Sequence, residues 1–443
     1  MLLGVPGLKK TFITLAVLVA GSVAIVSCGG SSPSSNARRL SGLKFRAFVS
    51  NSLSAGGAVI NIVDATRDVL SPASIPLLGI VNQPGLMVVS PDLRFTTVVS
   101  PPGDIAVIQN ATEAPVSGVP IISLPGLTES VAIANDSVTA FAAVPGAAVS
   151  GQAPGAVLVM NLTTGAVTAT IPVPAAHYLV LSPDGSRLLV FSDNSNNVTV
   201  IATGLIGTNN DPRQPAGGIC CFDRPVWGIF ADSATAYIFN CGPECPGGVT
   251  AGITTFDVGS PAPGPTVALG GATYGLLSGG SLYVAGSPPH TACGGGTAAT
   301  TCGTLNIIDV NSMKVMNPSP IIITDGYHNR MAMGSLGQLF IGARSCTNVN
   351  QLGGEVRGCL SIYNTSTSAV VVPPQIGDAT GIAPIPGRNI VYVCEGGAFQ
   401  IFDTTTDKLL VQVTAFPTDI VGYSMDVKVV DPPPSSCSMN CSP

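Results

Sequence analysis

The chain has 443 residues, of which 52 are Gly and 37 Pro, while only 9% are charged. That is too few charges to furnish the polar faces of long amphipathic helices, so the length points to several domains or to one large repetitive β architecture. The net charge of −6, from 18 basic and 24 acidic residues, offers no basic surface for a phosphate backbone and excludes nucleic acid as an expected partner.

Residues 1–27 carry Lys9 and Lys10 ahead of an uncharged apolar run from Thr11 to Val26. This is the pattern of a secretory signal peptide, the alternative being an uncleaved membrane anchor. Ile25-Val26-Ser27-Cys28 resembles the lipobox of bacterial lipoproteins, which implies lipidation at Cys28. In that family an acidic residue after the cysteine marks inner-membrane retention, and Gly29 stands there, so the resemblance points to the outer membrane. Residues 28–43 read as the lipidated cysteine and a flexible tether. The expected address is the bacterial cell envelope, with the membrane as partner through the lipid. Mean hydropathy is +0.47, yet beyond residue 30 the apolar runs have strand length, about 4 to 8 residues, far short of a spanning helix.

From residue 44 to residue 431 one pattern recurs. A strand such as NNVTVIATG, near residue 197, has counterparts near residues 57, 103, 155, 252, 303, 358 and 397. The spacings of about 39 to 55 residues suit a four-stranded blade. Ahead of most copies stands a short apolar strand, a turn of Pro, Asp, Gly, Ser or Asn, and an alternating strand, clearest in LVLSPDGSRLLVFS. A single such sheet cannot cover its own apolar faces, so blades must stack around an axis until the ring closes. The run DIVGYSMDVKVV has the inner-strand pattern without outer partners, whereas KFRAFVSN and GAVINIVDATRDVL supply outer strands without an inner one. The two ends are therefore expected to complete one shared blade. SPDG, an alternating strand, an Asn-rich turn, VTVI and TTGAVTATIPV resemble the YVTN β-propeller repeat. That family is usually seven-bladed. The count here favours an all-β single propeller of eight blades and keeps seven open.

Aligning the inner strands on their turns places Glu129, His177 and His328 at one position, with Gly85 and Thr380 opposite and Asp419, Trp227 and Tyr274 near the same level. Glu129, His177, His328 and Asp419 could converge at the channel mouth as divalent-metal ligands or as general acid and base. Each could equally cap or hydrogen-bond a neighbouring blade, and a register error of one residue would turn a side chain to the other face. Arg330 and Asn329 add a cation and an amide suited to an anionic or carbohydrate ligand, and Trp227 is either a packing residue or a stacking platform.

Eleven of the twelve cysteines lie from Cys220 onward, and export makes pairing the default. Cys293 with Cys302, Cys346 with Cys359, and Cys437 with Cys441 in the 432–443 tail read as loop staples. Cys220, Cys221, Cys241 and Cys245 could form two bridges across adjacent strands or a zinc site, and Cys394 is left as a buried free thiol.

The sequence carries no nucleophile elbow, HExxH or phosphate-binding loop. The leading expectation is a non-enzymatic, membrane-tethered scaffold that binds a protein, peptide or glycan, with no cofactor required. The alternative is a hydrolase or oxidoreductase resembling lactonase-type or quinoprotein-associated propellers, with a metal or acid/base site at the channel mouth. If one face is dedicated to binding, the long loops 204–225, 241–252, 286–303 and 344–358 should gather on it.

Overall fold

A computed structural model describes residues 39–53, 57–77, 79–101, 103–119, 121–215, 217–289, 302–346, 350–351, 355–356, 358–410 and 420–434. The compact unit that contains the ring is Leu40–Pro443. Its sheets form eight blades around an axis, an all-β propeller.

The inner strands, in ring order, are Ser424–Val429, Met87–Val89, Ser130–Ile133, Ala176–Leu181, Pro225–Phe230, Tyr274–Ser278, Tyr327–Met333 and Ala379–Pro384. They define blades 1 to 8. Each inner strand touches the next, and that of blade 8 touches that of blade 1. Blade 4 departs from the pattern with three regular strands; its outer edge is supplied by the isolated bridges Val198 to Ile219 and Ile201 to Arg213.

The turn chemistry explains why SPDG recurs. In blade 4 the Asp184 carboxylate accepts from the Ser182 hydroxyl at 2.7 Å and the Ser186 amide at 3.1 Å, and Ser182 Oγ accepts from the Arg187 amide at 2.9 Å. Gly185 takes the left-handed conformation that the turn requires, φ +74°. Blade 2 repeats these bonds through Ser90 and Asp92, and Leu93 is held at φ +62° where blade 4 has glycine.

Alternation within each strand sends successive side chains to opposite neighbours. In the strand Thr139–Val144, Ala140, Ala142 and Val144 pack towards blade 2, while Phe141 and Ala143 pack towards blade 4. The core of the described residues accordingly divides into eight apolar clusters, one in each gap between adjacent blades. Among the described residues each blade covers its apolar faces against its two neighbours, which is the physical reason for closure.

Blade 1 is the shared blade. Ser424–Val429 pairs antiparallel with Arg46–Asn51, which pairs with Val59–Asp64 and then Val69–Pro76. A buried latch ties the ends. The Arg46 guanidinium donates to Asp431 Oδ1 and Oδ2 at 2.7 Å each, to Glu113 at 2.9 Å and to the Asn110 carbonyl at 2.8 Å.

Candidate functional site at the axial mouth

In an antiparallel blade the start of the inner strand, the end of the second strand and the start of the third lie at the same end of the ring. The site is built at this end, the entry end. Five inner strands begin with a bulge that inserts one unpaired residue: Met425, His177, Val226, Asn329 and Thr380. Glu129 stands in the same relation to the pair Ser130 and Ala143 as His177 does to Tyr178 and Phe191. These residues line the axial cavities.

The bulge corrects one expectation. The counterpart of Glu129 and His177 is Asn329, while His328 is the counterpart of Ala176 and lies one residue earlier. That single step turns His328 out of the channel into the seam with blade 6. It is fully buried against Gly303, with Nε2 at 3.0 Å from the Thr324 carbonyl. Burial keeps its imidazole neutral, with the pKa down to about 4. Asp419 lies outside the described residues.

The residues that do meet come from blades 3, 4 and 7. Arg344, at the end of the strand Gln338–Arg344, pairs bidentately with Glu129 at 2.9 and 3.3 Å. Blades 3 and 7 are four steps apart in either direction, so this ion pair crosses the axis. The Tyr178 hydroxyl donates to Glu129 at 3.1 Å and lies 3.5 Å from Arg344 Nη2. With its carboxamide oxygen turned to the guanidinium, Asn329 accepts from Arg344 Nε at 2.9 Å and Nη2 at 3.2 Å.

His177 joins this strut from the side. Its Nδ1 lies 2.6 Å from Asp193 and its Nε2 3.4 Å from Glu129, so both ring nitrogens face carboxylates and the imidazolium is favoured. Burial opposes that charge, but the hydrogen bonds to Glu129 and Asp193 outweigh it and raise the His177 pKa. His177 and then Arg344 hold the Glu129 carboxyl well below its ordinary range. Burial, followed by the charge on Glu129, pushes the Tyr178 phenol up to about 12. The His177 ring stacks on Tyr178 with centroids 4.1 Å apart.

An aromatic arc continues around the axis. Tyr178 meets Trp227 edge-on at 6.1 Å, and Trp227 lies 4.8 Å from Tyr274. Trp227 is thus packed between aromatic neighbours while lining a small axial cavity of about 120 Å³, with Arg330 on the same wall. Glu129, Tyr178 and Arg344 divide the mouth into two larger compartments. One, of about 330 Å³, is bounded by His177, Asp193 and Arg224; the other, of about 360 Å³, by Arg330, Asn329 and Thr380.

The second-to-third strand connections of blades 5, 6 and 7 begin and end at this entry end. Blade 5's is closed by Cys241–Cys245 and blade 7's by Cys346–Cys359. Cys302 of blade 6 is also disulfide-bonded. The segment 204–225 starts at the other end and climbs the edge of blade 4 to reach the entry end at Cys220–Cys221. Cys220 and Cys221 bridge each other, as do Cys241 and Cys245. The four-cysteine group therefore makes local bridges instead of cross-strand ones, and no thiolate is left for zinc. Cys394 is a buried free thiol. Cys28, Cys293, Cys437 and Cys441 lie outside the described residues.

The repeat alignment overlooked Asp193, Arg344 and Tyr327, the last being the first residue of the blade 7 inner strand and part of the lining of the 330 Å³ compartment. Two of them sit where the second strand ends, a position that the antiparallel pairing brings beside the inner-strand entry. Among the described residues no group of three or more His, Cys, Asp or Glu side chains is arranged to hold a metal ion.

The fold is similar to several solved structures. Dihydro-heme d1 dehydrogenase NirN in complex with DHE shares 14% identity over 88% of this chain and 75% of its own, with a TM-score of 0.60. Kuenenia stuttgartiensis hydrazine synthase shares 15% over 75% of this chain and 96% of its own, at 0.52. A functionally unknown protein from Desulfotomaculum acetoxidans DSM 771 shares 14% over 88% and 99%, at 0.50. At these identities the likeness establishes the propeller fold alone. No family model and no curated protein sequence matches the chain.

Proposed function

We propose that this propeller is a non-enzymatic binding module of the bacterial cell envelope, lipid-anchored at Cys28, that engages a protein, peptide or glycan through its entry end. One observation carries the reading: the disulfide-closed loops of blades 5 and 7 leave the ring at the same end as the axial mouth. Staples on exposed connections pre-organise a surface and lower the ordering cost of binding. Exposed apolar side chains at that end, Val249 at 81% and Leu127 at 59%, add contact area. The lipobox and the YVTN-like repeats support the envelope address.

The four-residue group of the alternative loses one member, His328, from the channel mouth. His177 lies between two carboxylates that raise its pKa, and His328 is withdrawn into a seam.

Photo-cross-linking compares the two ends of the ring directly. p-Benzoylphenylalanine replaces Val249 at the entry end or Leu336, exposed in the blade 7 turn at the other end, in protein expressed in its source cells. A discrete adduct from position 249 and none from position 336 is expected. Equal adducts from both positions, or adducts from 336 alone, would remove the reading.

A further inference from the structure

The 360 Å³ compartment holds one charge that no acidic side chain among the described residues pairs with, that of Arg330. The Arg330 guanidinium donates from Nε to the Thr380 carbonyl at 3.1 Å and from Nη1 to the Asn329 carbonyl at 2.8 Å. These bonds fix its orientation without supplying a negative charge, and Nη2 has no protein acceptor among the described residues. The other charges of the compartment are matched. Glu129 is taken by Arg344 and His177, and the buried Asp426 by Lys428 at 2.8 Å and by the amides of Met87 and Val427. A pre-oriented guanidinium fork in a partly desolvated pocket is matched best by a planar carboxylate. The same compartment is also lined by the apolar side chains of Leu86, Val99, Leu127 and Met425.

We infer that this compartment binds an organic carboxylate, its carboxyl group on Arg330 and a short apolar body against Leu86, Val99, Leu127 and Met425. The inference rests on the binding reading above and names the ligand class of the same site. Two sources share this chemistry: a free small carboxylic acid, and the C-terminal carboxylate of a polypeptide entering from the mouth.

Trp227 is the sole tryptophan of the chain and lines the adjoining cavity with Arg330, so its emission reports on the compartment. The detergent-solubilised full chain is titrated with N-acetyl-leucine, with an N-acetylated pentapeptide ending in free Leu, and with the same peptide as its C-terminal amide. The free acids are expected to give saturable changes in Trp227 emission, and the amide to bind at least about tenfold more weakly. A pentapeptide acid that binds at least about tenfold tighter than N-acetyl-leucine identifies the polypeptide source, and equal affinities identify the small acid. Arg330→Gln should weaken both acids at least about tenfold, while Arg330→Lys retains measurable binding. The acid-to-amide comparison in the unmodified chain needs no variant and stands even if Arg330→Gln fails to fold. No saturable response to either acid up to about 10 mM, or equal affinity for acid and amide, would overturn the inference. Such a result alongside a position 249 adduct would overturn the carboxylate assignment alone and leave the binding end in place.

Discussion

Glu129 and Arg344, 215 residues apart in sequence, form a bidentate ion pair across the propeller axis between blades 3 and 7. A ring of eight separate sheets brings residues of non-adjacent blades into contact only at its centre, and here that contact partitions the mouth. Both side chains keep partial solvent access, 45% for Glu129 and 33% for Arg344. The pair therefore positions groups more than it stabilises the ring.

A double-mutant cycle tests that division of roles. Glu129→Gln and Arg344→Met should couple by about 1 kcal/mol or less in urea unfolding. A coupling above about 3 kcal/mol would mean that the strut holds the ring together.

The closing latch should behave in the opposite way. Arg46→Met leaves Glu113, 2% exposed, without its cation, and should destabilise the chain by about 3 to 5 kcal/mol. Urea unfolding measures it, and a loss below about 1 kcal/mol would show that strand pairing alone closes blade 1.

Replacing the cysteines of the entry-end staples by serine should cost stability in proportion to the loop each closes. Loop-closure entropy gives about 3 kcal/mol for Cys346–Cys359, with a sequence separation of 13, and about 2 kcal/mol for Cys241–Cys245, with a separation of 4. Thermal unfolding of the two serine pairs reads the difference, and the reverse order would contradict the account.

Much of the fold was legible because it is written redundantly. Strand alternation, the Ser-Pro-Asp-Gly turn and the incomplete patterns at the two ends each point to a closed ring, and the shared blade formed from the expected segments. The site was legible in part. Glu129, His177 and Thr380 do occupy equivalent entry positions, but His328 was aligned one residue early. The cause is the entry bulge. An inserted, unpaired residue shifts the pleat without altering composition, and gaps in a degenerate repeat absorb it. Arg344 and Asp193 escaped notice because they belong to the ends of second strands, which meet the inner-strand entries only through antiparallel pairing.

The two histidines set opposite pH dependences. The His177 pKa is raised on folding, so its contribution is fully present below the unfolded value of about 6.5 and is lost as pH rises through the folded value. The His328 pKa is lowered to about 4, so stability is lost as pH falls from about 6.5 towards 4, where the unfolded chain binds the extra proton.

Histidine-selective NMR titration tests most directly which residues form the axial site. The three histidines of the chain are assigned with His177→Gln and His328→Gln, and the titration is repeated in Glu129→Gln. The account requires His177 to titrate above about 6.5, to move downward in Glu129→Gln, and His328 to stay neutral until about pH 4 in both proteins. A His328 that titrates near 6.5 and responds to Glu129→Gln, beside an indifferent His177, would contradict it.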